Sequence, residues 1–171
     1  EKEEEIRANH SEADILLADY LQKWLNMVKP TIAYSTYHSY RNMIDARLDK
    51  YFRELGVTLG ELTASQIQDF YQIILDEGFT TNTVIHYHAV LRKALHSAVK
   101  KEMIPRNPAD SVDKPKKNHY QAAHYTEAEM LELFKVIEGD PLELPIKIAA
   151  YYGLRRSEVL GIRWSAIDFK R

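Results

Sequence analysis

Residues 80–110 read TTNTVIHYHAVLRKALHSAVKKEMIPRNPAD, and the order of events in that stretch sets the class of the chain. Val84, Tyr87, Leu91, Leu95 and Val99 recur at the three- and four-residue steps of one helix face. Thr80 and Thr81 stand where that helix begins, a position that favours hydroxyls because they accept from the first unbonded backbone N–H groups. The pattern then stops at Pro105 and Pro108, since proline removes a backbone donor and clashes with the preceding turn. A long amphipathic helix that runs straight into a proline-rich strap marks the end of one helical unit.

Three similar patterns lie upstream. Leu17, Tyr20, Leu21, Trp24, Leu25 and Val28 form the first, closed by Lys29-Pro30; Tyr37, Tyr40, Ile44, Leu48, Tyr51 and Leu55 form the second, closed by Gly56. The third opens on Thr63 with Gln66 three residues later, a capping box, and continues through Ile67, Phe70, Tyr71, Ile74 and Leu75 to Gly78. No strand pattern interrupts them, so residues 13–104 read as a four-helix, all-α unit, preceded by an acidic linker or helix start at residues 1–12.

Downstream, residues 105–124 hold three prolines, several lysines and almost no large aliphatics, the texture of an interdomain linker. A second unit, residues 125–171, starts on another capping box, Thr126 with Glu129, followed by the apolar stripe Met130, Leu133, Phe134 and Ile137. Gly139-Asp140-Pro141 turns into a further apolar helix, and a short helix starts at Arg155. After it, Trp164, Ala166, Ile167 and Phe169 alternate as the opening of a strand would. This second unit is too short to enclose a core of its own, and more chain is expected to complete it.

The 171 residues are 45% hydrophobic, enough for a real core. No apolar run approaches the length of a membrane span, and the start EKEEEIRANH is the reverse of a basic signal-peptide head, so the expected location is the cytoplasm. The absence of cysteine removes disulfides, thiolate zinc sites and thiol nucleophiles together. The net charge of −2 hides an uneven distribution: residues 1–28 carry 3 basic and 7 acidic side chains, residues 29–124 carry 13 and 10, and residues 125–171 carry 7 and 8. The middle is net positive and holds six of the seven histidines, a mild pointer to a polyanion. His86 and His88 diverge by about 200° on a helix and have no carboxylate at ligand spacing, so no metal is expected. No glycine-rich phosphate loop or Gly-x-Ser-x-Gly elbow occurs, and no cofactor is expected.

The closing stretch GLRRSEVLGIRWSAIDF (residues 153–169), preceded by its apolar helix and by the proline-bearing linker, resembles the tyrosine recombinases, in particular the integrases of temperate phages and conjugative transposons. STYHSYRNMI (35–44), the stretch quoted above (80–110) and YTEAEMLELF (125–134) carry the same resemblance, which extends over residues 13–171. Tyr152 departs from the pattern where threonine is common, and Ala166 where aspartate is common. The resemblance implies a mainly α chain: a four-helix, SAM-like core-binding domain, a linker, and the helical opening part of an α+β catalytic domain. It implies a site-specific DNA recombinase that breaks and rejoins double-stranded DNA at attachment sites through a 3′-phosphotyrosyl intermediate. A homo-tetramer on DNA, with accessory DNA-bending or directionality proteins, is implied for the intact protein, and no membrane partner.

By that resemblance Arg155 is the first catalytic arginine, and Glu158, one turn along, is its support. A guanidinium is always charged, and its planar fork matches two phosphate oxygens on which charge builds during strand cleavage. The remaining catalytic groups, including the nucleophilic tyrosine, are implied to lie C-terminal to these residues, so the 171-residue chain is expected to be inactive alone. Neither Tyr151 nor Tyr152 is read as that nucleophile. Local spacing by itself also fits an ordinary exposed Arg155–Glu158 pair worth a few tenths of a kcal/mol.

Candidate DNA contacts are Ser35, Thr36, Ser39 and Arg41 on the second helix, and Thr80, Thr81, Asn82 and Thr83 at the start of the fourth. Arg92 and Lys93, with His38 and His86, extend the same surface. Lys114, Lys116 and Lys117 in the linker add phosphate-neutralising charge. The threonines and serine serve equally as helix caps, and the linker lysines equally as solubilising charge. A helical DNA-binding module without strand transfer, or a helical protein-interaction scaffold, remains the alternative.

Overall fold

The structure is a computed structural model and describes residues 13–118 and 122–168. It divides into two compact units, Glu1–His119 and Tyr120–Arg171.

In the first unit the elements are α1 (Leu17–Val28), α2 (Tyr34–Met43), a π-helical segment (Ile44–Leu48), α3 (Asp49–Leu55), α4 (Ala64–Asp76), α5 (Thr81–Lys100) and a 3₁₀ turn (Pro108–Ser111). The periodic stripes face inward except at Leu55, which the end of its helix leaves 44% exposed. Leu17, Leu21, Trp24 and Leu25 of α1 meet Ile67, Phe70, Tyr71 and Ile74 of α4 and Val84, Leu91, Ala94 and Leu95 of α5 in one core. The Tyr20 hydroxyl donates to the Ala94 carbonyl at 2.9 Å, tying α1 to α5, and burial pushes its pKa up to about 12. The start of the described chain is pinned by main-chain bonds from Leu17 N to Val57 O (3.0 Å) and from Leu59 N to Ile15 O (2.8 Å).

The expected second helix is interrupted. Ile44, Leu48 and Phe52 are all fully buried, although residues four apart on an α-helix drift by about 40° per step. The wider π-helical turn between Ile44 and Leu48 absorbs that drift and keeps all three on the core side. Gly56 then closes α3 in the left-handed conformation at φ 66°. Thr63 and Gln66 form both halves of the expected capping box: Gln66 N donates to Thr63 Oγ1, and Thr63 N donates to Gln66 Oε1 at 2.9 Å.

The proline-bearing segment begins inside this unit. Ile104, Asn107, Ala109 and Val112 are buried, and the Asn107 side chain donates to the Arg92 carbonyl (3.0 Å) while accepting from Ala109 N (3.0 Å). Prolines exclude a regular helix here but not a 3₁₀ turn, and that turn places Ala109 against the helices.

In the second unit, α6 (Glu127–Val136), α7 (Glu143–Tyr152) and α8 (Arg156–Leu160) follow one another. Thr126 and Glu129 complete the expected box, with Thr126 N donating to Glu129 at 2.7 Å. None of the described residues 122–168 is buried. Tyr151 and Tyr152, read as apolar helix positions, are 73% and 76% exposed; Tyr151 stacks on Phe134, with ring centroids 5.6 Å apart. The strand expected from Trp164 does not form within the described residues. Trp164–Ala166 is a 3₁₀ turn, its backbone satisfied locally by bonds such as Ala166 N to Arg163 O at 2.9 Å, because no second extended segment among the described residues offers a ladder. Phe169 lies outside the described residues.

Candidate nucleic-acid interface

α2 and α5 share a compositional feature that the hydrophobic pattern conceals: neither contains an aspartate or a glutamate. In a chain with 25 acidic residues, two helices of 10 and 20 residues without any add no repulsion of their own toward a polyanion; the acids beside them, Asp45 and Asp110, come from adjoining elements and are paired with Arg41 and Arg92. The helices meet where Lys93 of α5 places Nζ 3.3 Å from the Tyr40 hydroxyl of α2 and over its ring, while Tyr40 stacks on Trp24. Lys93 thereby lies against an aromatic ring and a hydroxyl, with no ion pair to a carboxylate among the described residues.

On α2, Ser35, Ser39 and Arg41 are exposed and Thr36 is half-buried. Ala33 stands at the N-cap with no side-chain cap bond, so Ser35 and Thr36 lie inside the first turn and do not cap it. Tyr34, 78% exposed at the first helical position, packs edge-on against His38 with centroids 4.5 Å apart. Lys29 lies over the Tyr37 ring at 5.3 Å. Arg41 is bound to Asp45 at 3.2 Å on the π-helical segment, which offsets its charge.

On α5 the threonines differ in role. Thr80 is the cap, its Oγ1 accepting from Thr83 N at 3.4 Å and lying 3.2 Å from Thr83 Oγ1. Thr81 sits one residue in, with a buried hydroxyl that has no hydrogen-bond partner among the described residues. Asn82 exchanges hydrogen bonds with Asn118, discussed below. His86 is exposed and His88 buried, on opposite sides as helical geometry requires. His88 Nδ1 shares a 2.8 Å hydrogen bond with the Tyr71 hydroxyl; burial, reinforced by Lys114 and Arg92, lowers its pKa below the usual 6.5. Arg92 pairs with Asp110 at 2.5 Å.

Residue-by-residue reading of the sequence missed His96 and Lys100. Both are exposed and follow His86 and Lys93 along α5 at three- and four-residue steps. The signal was present: the absence of acid from a 20-residue helix is visible in the sequence once the helix is delimited.

In the second unit Arg155 stands at the N-cap of α8 with an 85% exposed side chain. Glu158 holds it twice: its Oε2 accepts from the Arg155 backbone N at 2.7 Å, and its Oε1 lies 3.3 Å from Arg155 Nη1. The carboxylate thus fixes the backbone from which the guanidinium projects, and it occupies a backbone donor that would otherwise point outward at the helix start. Arg156, adjacent, begins α8.

The profile of the phage integrase SAM-like domain matches residues 16–122, more than half of the chain. The chain belongs to that family. It is 24% identical over 175 residues to a XerC-like tyrosine recombinase of Caldanaerobacter subterraneus subsp. tengcongensis, covering 92% of this chain and 42% of that protein. It is 25% identical over 134 residues to the ICEBs1 integrase of Bacillus subtilis, covering 77% of this chain and 36% of that protein. The chain therefore spans less than half the length of these curated relatives. Among solved structures, a lambda integrase dimer bound to a COC′ core site superposes with TM-score 0.78 at 21% identity, covering 98% of this chain and 47% of that one. The Tn1549 transposon integrase in complex with circular intermediate DNA gives 0.66 at 18% identity, covering 88% and 51%. The mainly helical fold is that of the integrase core-binding region, and the family profile extends past residue 112, through the segment that packs on α4 and α5.

Proposed function

We propose that this SAM-like integrase chain is the duplex-binding portion, together with the first arginine-bearing portion, of a site-specific recombinase acting on double-stranded DNA. The observation that carries the reading is the acid-free pair α2 and α5, joined at Tyr40–Lys93, in a chain that is net acidic overall. Ser35, Thr36, Ser39, Thr80 and Thr83 offer hydroxyls to phosphates and groove edges, and Lys93, Arg41, Arg92 and the strap lysines supply charge. What the related proteins' names and complexes say of them, recombination and core-site DNA, supports the same direction.

In the complete enzyme the tyrosine nucleophile attacks the scissile phosphorus, its oxygen forms a bond to phosphorus, and the 5′-oxygen of the next nucleotide leaves. Charge accumulates on the two non-bridging oxygens during that exchange. The Arg155 guanidinium meets both with parallel N–H bonds, while Glu158 keeps the N-cap residue from which it projects in place. The 171-residue chain alone binds duplex and does not cleave it, and assembly into a tetramer on DNA belongs to the complete protein.

Two measurements test this. The chain titrated against duplex DNA binds with an affinity that falls steeply as salt rises; no binding at low salt removes the DNA reading. In the complete recombinase, Arg155→Ala lowers covalent adduct on a nicked suicide substrate by about 10²–10³-fold, and an unchanged adduct yield removes the catalytic role of Arg155.

A further inference from the structure

Residues 107–118 run back along α5 in the opposite direction. They are anchored at one end by Asn107 on the Arg92 carbonyl and by Asp110 on the Arg92 guanidinium. At the other end the Asn82 side chain donates from Nδ2 to the Asn118 carbonyl and accepts from the Asn118 backbone N, both at 3.2 Å. Arg92 follows Asn82 by ten helical steps, about 15 Å, well within the reach of the eight chain steps from Asp110 to Asn118. The strap is thus clamped twice on one helix. Between the clamps, Lys114, Lys116 and Lys117 are exposed around a half-buried Pro115.

These three lysines differ from four arginines of the unit and share with Lys93 the lack of a carboxylate partner among the described residues. Arg41, Arg47, Arg53 and Arg92 each pair with a carboxylate, whereas no ion pair of Lys114, Lys116 or Lys117 occurs among the described residues. Asp113 is the only acid between residues 113 and 118. Each end of the Asn82 amide already has a main-chain partner, an arrangement like one rung of a sheet made by a side chain. Of the side chains of this length only an amide can give and accept in this way; aspartate accepts but cannot donate to the Asn118 carbonyl.

We propose that Asn82 is a positioning residue: its amide latches the Asn118 peptide so that Lys114, Lys116 and Lys117 are displayed as a fixed row beside the start of α5, where they neutralise DNA phosphates. The assignment rests on the DNA-binding reading above and gives Asn82 a role distinct from touching DNA itself. Holding the row in place matters because free lysines lose rotamer and backbone freedom on binding, and a clamped strap has already lost part of it.

The test uses the full 171-residue chain and a random-sequence duplex of about 30 base pairs, titrated at several salt concentrations. Wild type, Asn82→Ala, the triple variant Lys114→Ala/Lys116→Ala/Lys117→Ala, and the combination are compared. Asn82→Ser, which retains a hydroxyl suited to a helix start, checks that any loss is not a folding defect. Asn82→Ala is expected to reduce the log K against log salt slope by about one to two units, since each phosphate neutralised contributes roughly 0.9. In the triple-alanine background the same change is expected to have no further effect. Hydrogen exchange without DNA reads the latch directly: Asn82→Ala raises exchange across residues 113–118 and leaves α4 and α5 protected. An unchanged exchange rate there, an unchanged slope, or an equal loss in both lysine backgrounds overturns the latch. Failure of the wild type to bind duplex overturns the DNA-binding reading instead, together with the purpose assigned here to the row.

Discussion

His88 carries the sharpest consequence at the scale of single residues. It is 4% exposed, bonded through Nδ1 to Tyr71, and its Nε2 has no partner among the described residues. Its pKa lies below the usual 6.5 because of burial first, then the nearby charges of Lys114 and Arg92, with Asp110 opposing. The unfolded chain therefore binds a proton that the folded chain refuses as pH drops below about 6.5, so stability rises with pH through that window and is lost on acidification. Below the folded pKa the loss levels off. His88→Phe is expected to flatten this dependence, read as thermal midpoints across about pH 5 to 7, while lowering stability overall by about 1–3 kcal/mol as Tyr71 loses its partner. Equal slopes in the two proteins would remove His88 as the cause. The sequence showed that His86 and His88 part company, since helical geometry alone dictates it, but which of them is buried depends on what packs against α5, and that includes the strap. Arg155 shows the same division. Its position beside a glutamate one turn away was readable, whereas the grip of Glu158 on the backbone N–H was not, because the chain's entry angle into α8 decides it.

At the scale of elements, local side-chain chemistry was legible and register was not. Thr63-x-x-Gln66 and Thr126-x-x-Glu129 announce helix starts because each residue type satisfies an otherwise unbonded donor three residues away, a rule that needs no tertiary information. Thr63→Ala removes the acceptor of the Gln66 N–H and is expected to cost the first unit about 1 kcal/mol in denaturant unfolding, with an unchanged m-value. A change below a few tenths would mean that packing of Ile67 and Phe70, not the cap, fixes the start of α4. The π-helical segment was hidden, since Ile44, Leu48 and Phe52 at steps of four fit an unbroken helix on paper and reveal their drift only when all three must be buried together. The proline texture of residues 105–112 excluded helix and strand correctly, yet a 3₁₀ turn with small and aliphatic side chains still joins a core. Trp164 to Ile167 alternates as a strand does, and remains a turn because pairing requires a neighbour, which no local pattern supplies.

For the whole molecule, the two units differ in how much apolar surface they enclose. The first buries Trp24, Phe52, Phe70 and Tyr71 almost completely, with ring centroids of Phe52 and Phe70 5.7 Å apart. The second leaves Val136, Tyr152, Leu160 and Trp164 each at least 75% exposed and buries no described residue. Its helices are braced singly by the Thr126–Glu129 capping box and the Glu143–Lys147 pair at 2.6 Å, and α6 meets α7 through the Phe134–Tyr151 stack and Lys147 over the Phe134 ring. Such contacts contribute tenths of a kcal/mol to about 1.5 kcal/mol each, and helices of 10 residues are marginal in water without an apolar face covered. Hydrogen exchange on this chain is therefore expected to separate the units. Amides of α4 and α5 exchange only through unfolding of their shared core, whereas those of α6 and α7 exchange through local opening, faster by at least about 100-fold. Added denaturant strengthens the contrast: exchange in α5 accelerates with the full m-value of the first unit, while exchange in α7, already open to solvent, hardly responds. Protection in α7 equal to that in α5 would mean that the exposed apolar surface of the second unit is covered in solution and that α7 opens only with a larger cooperative core.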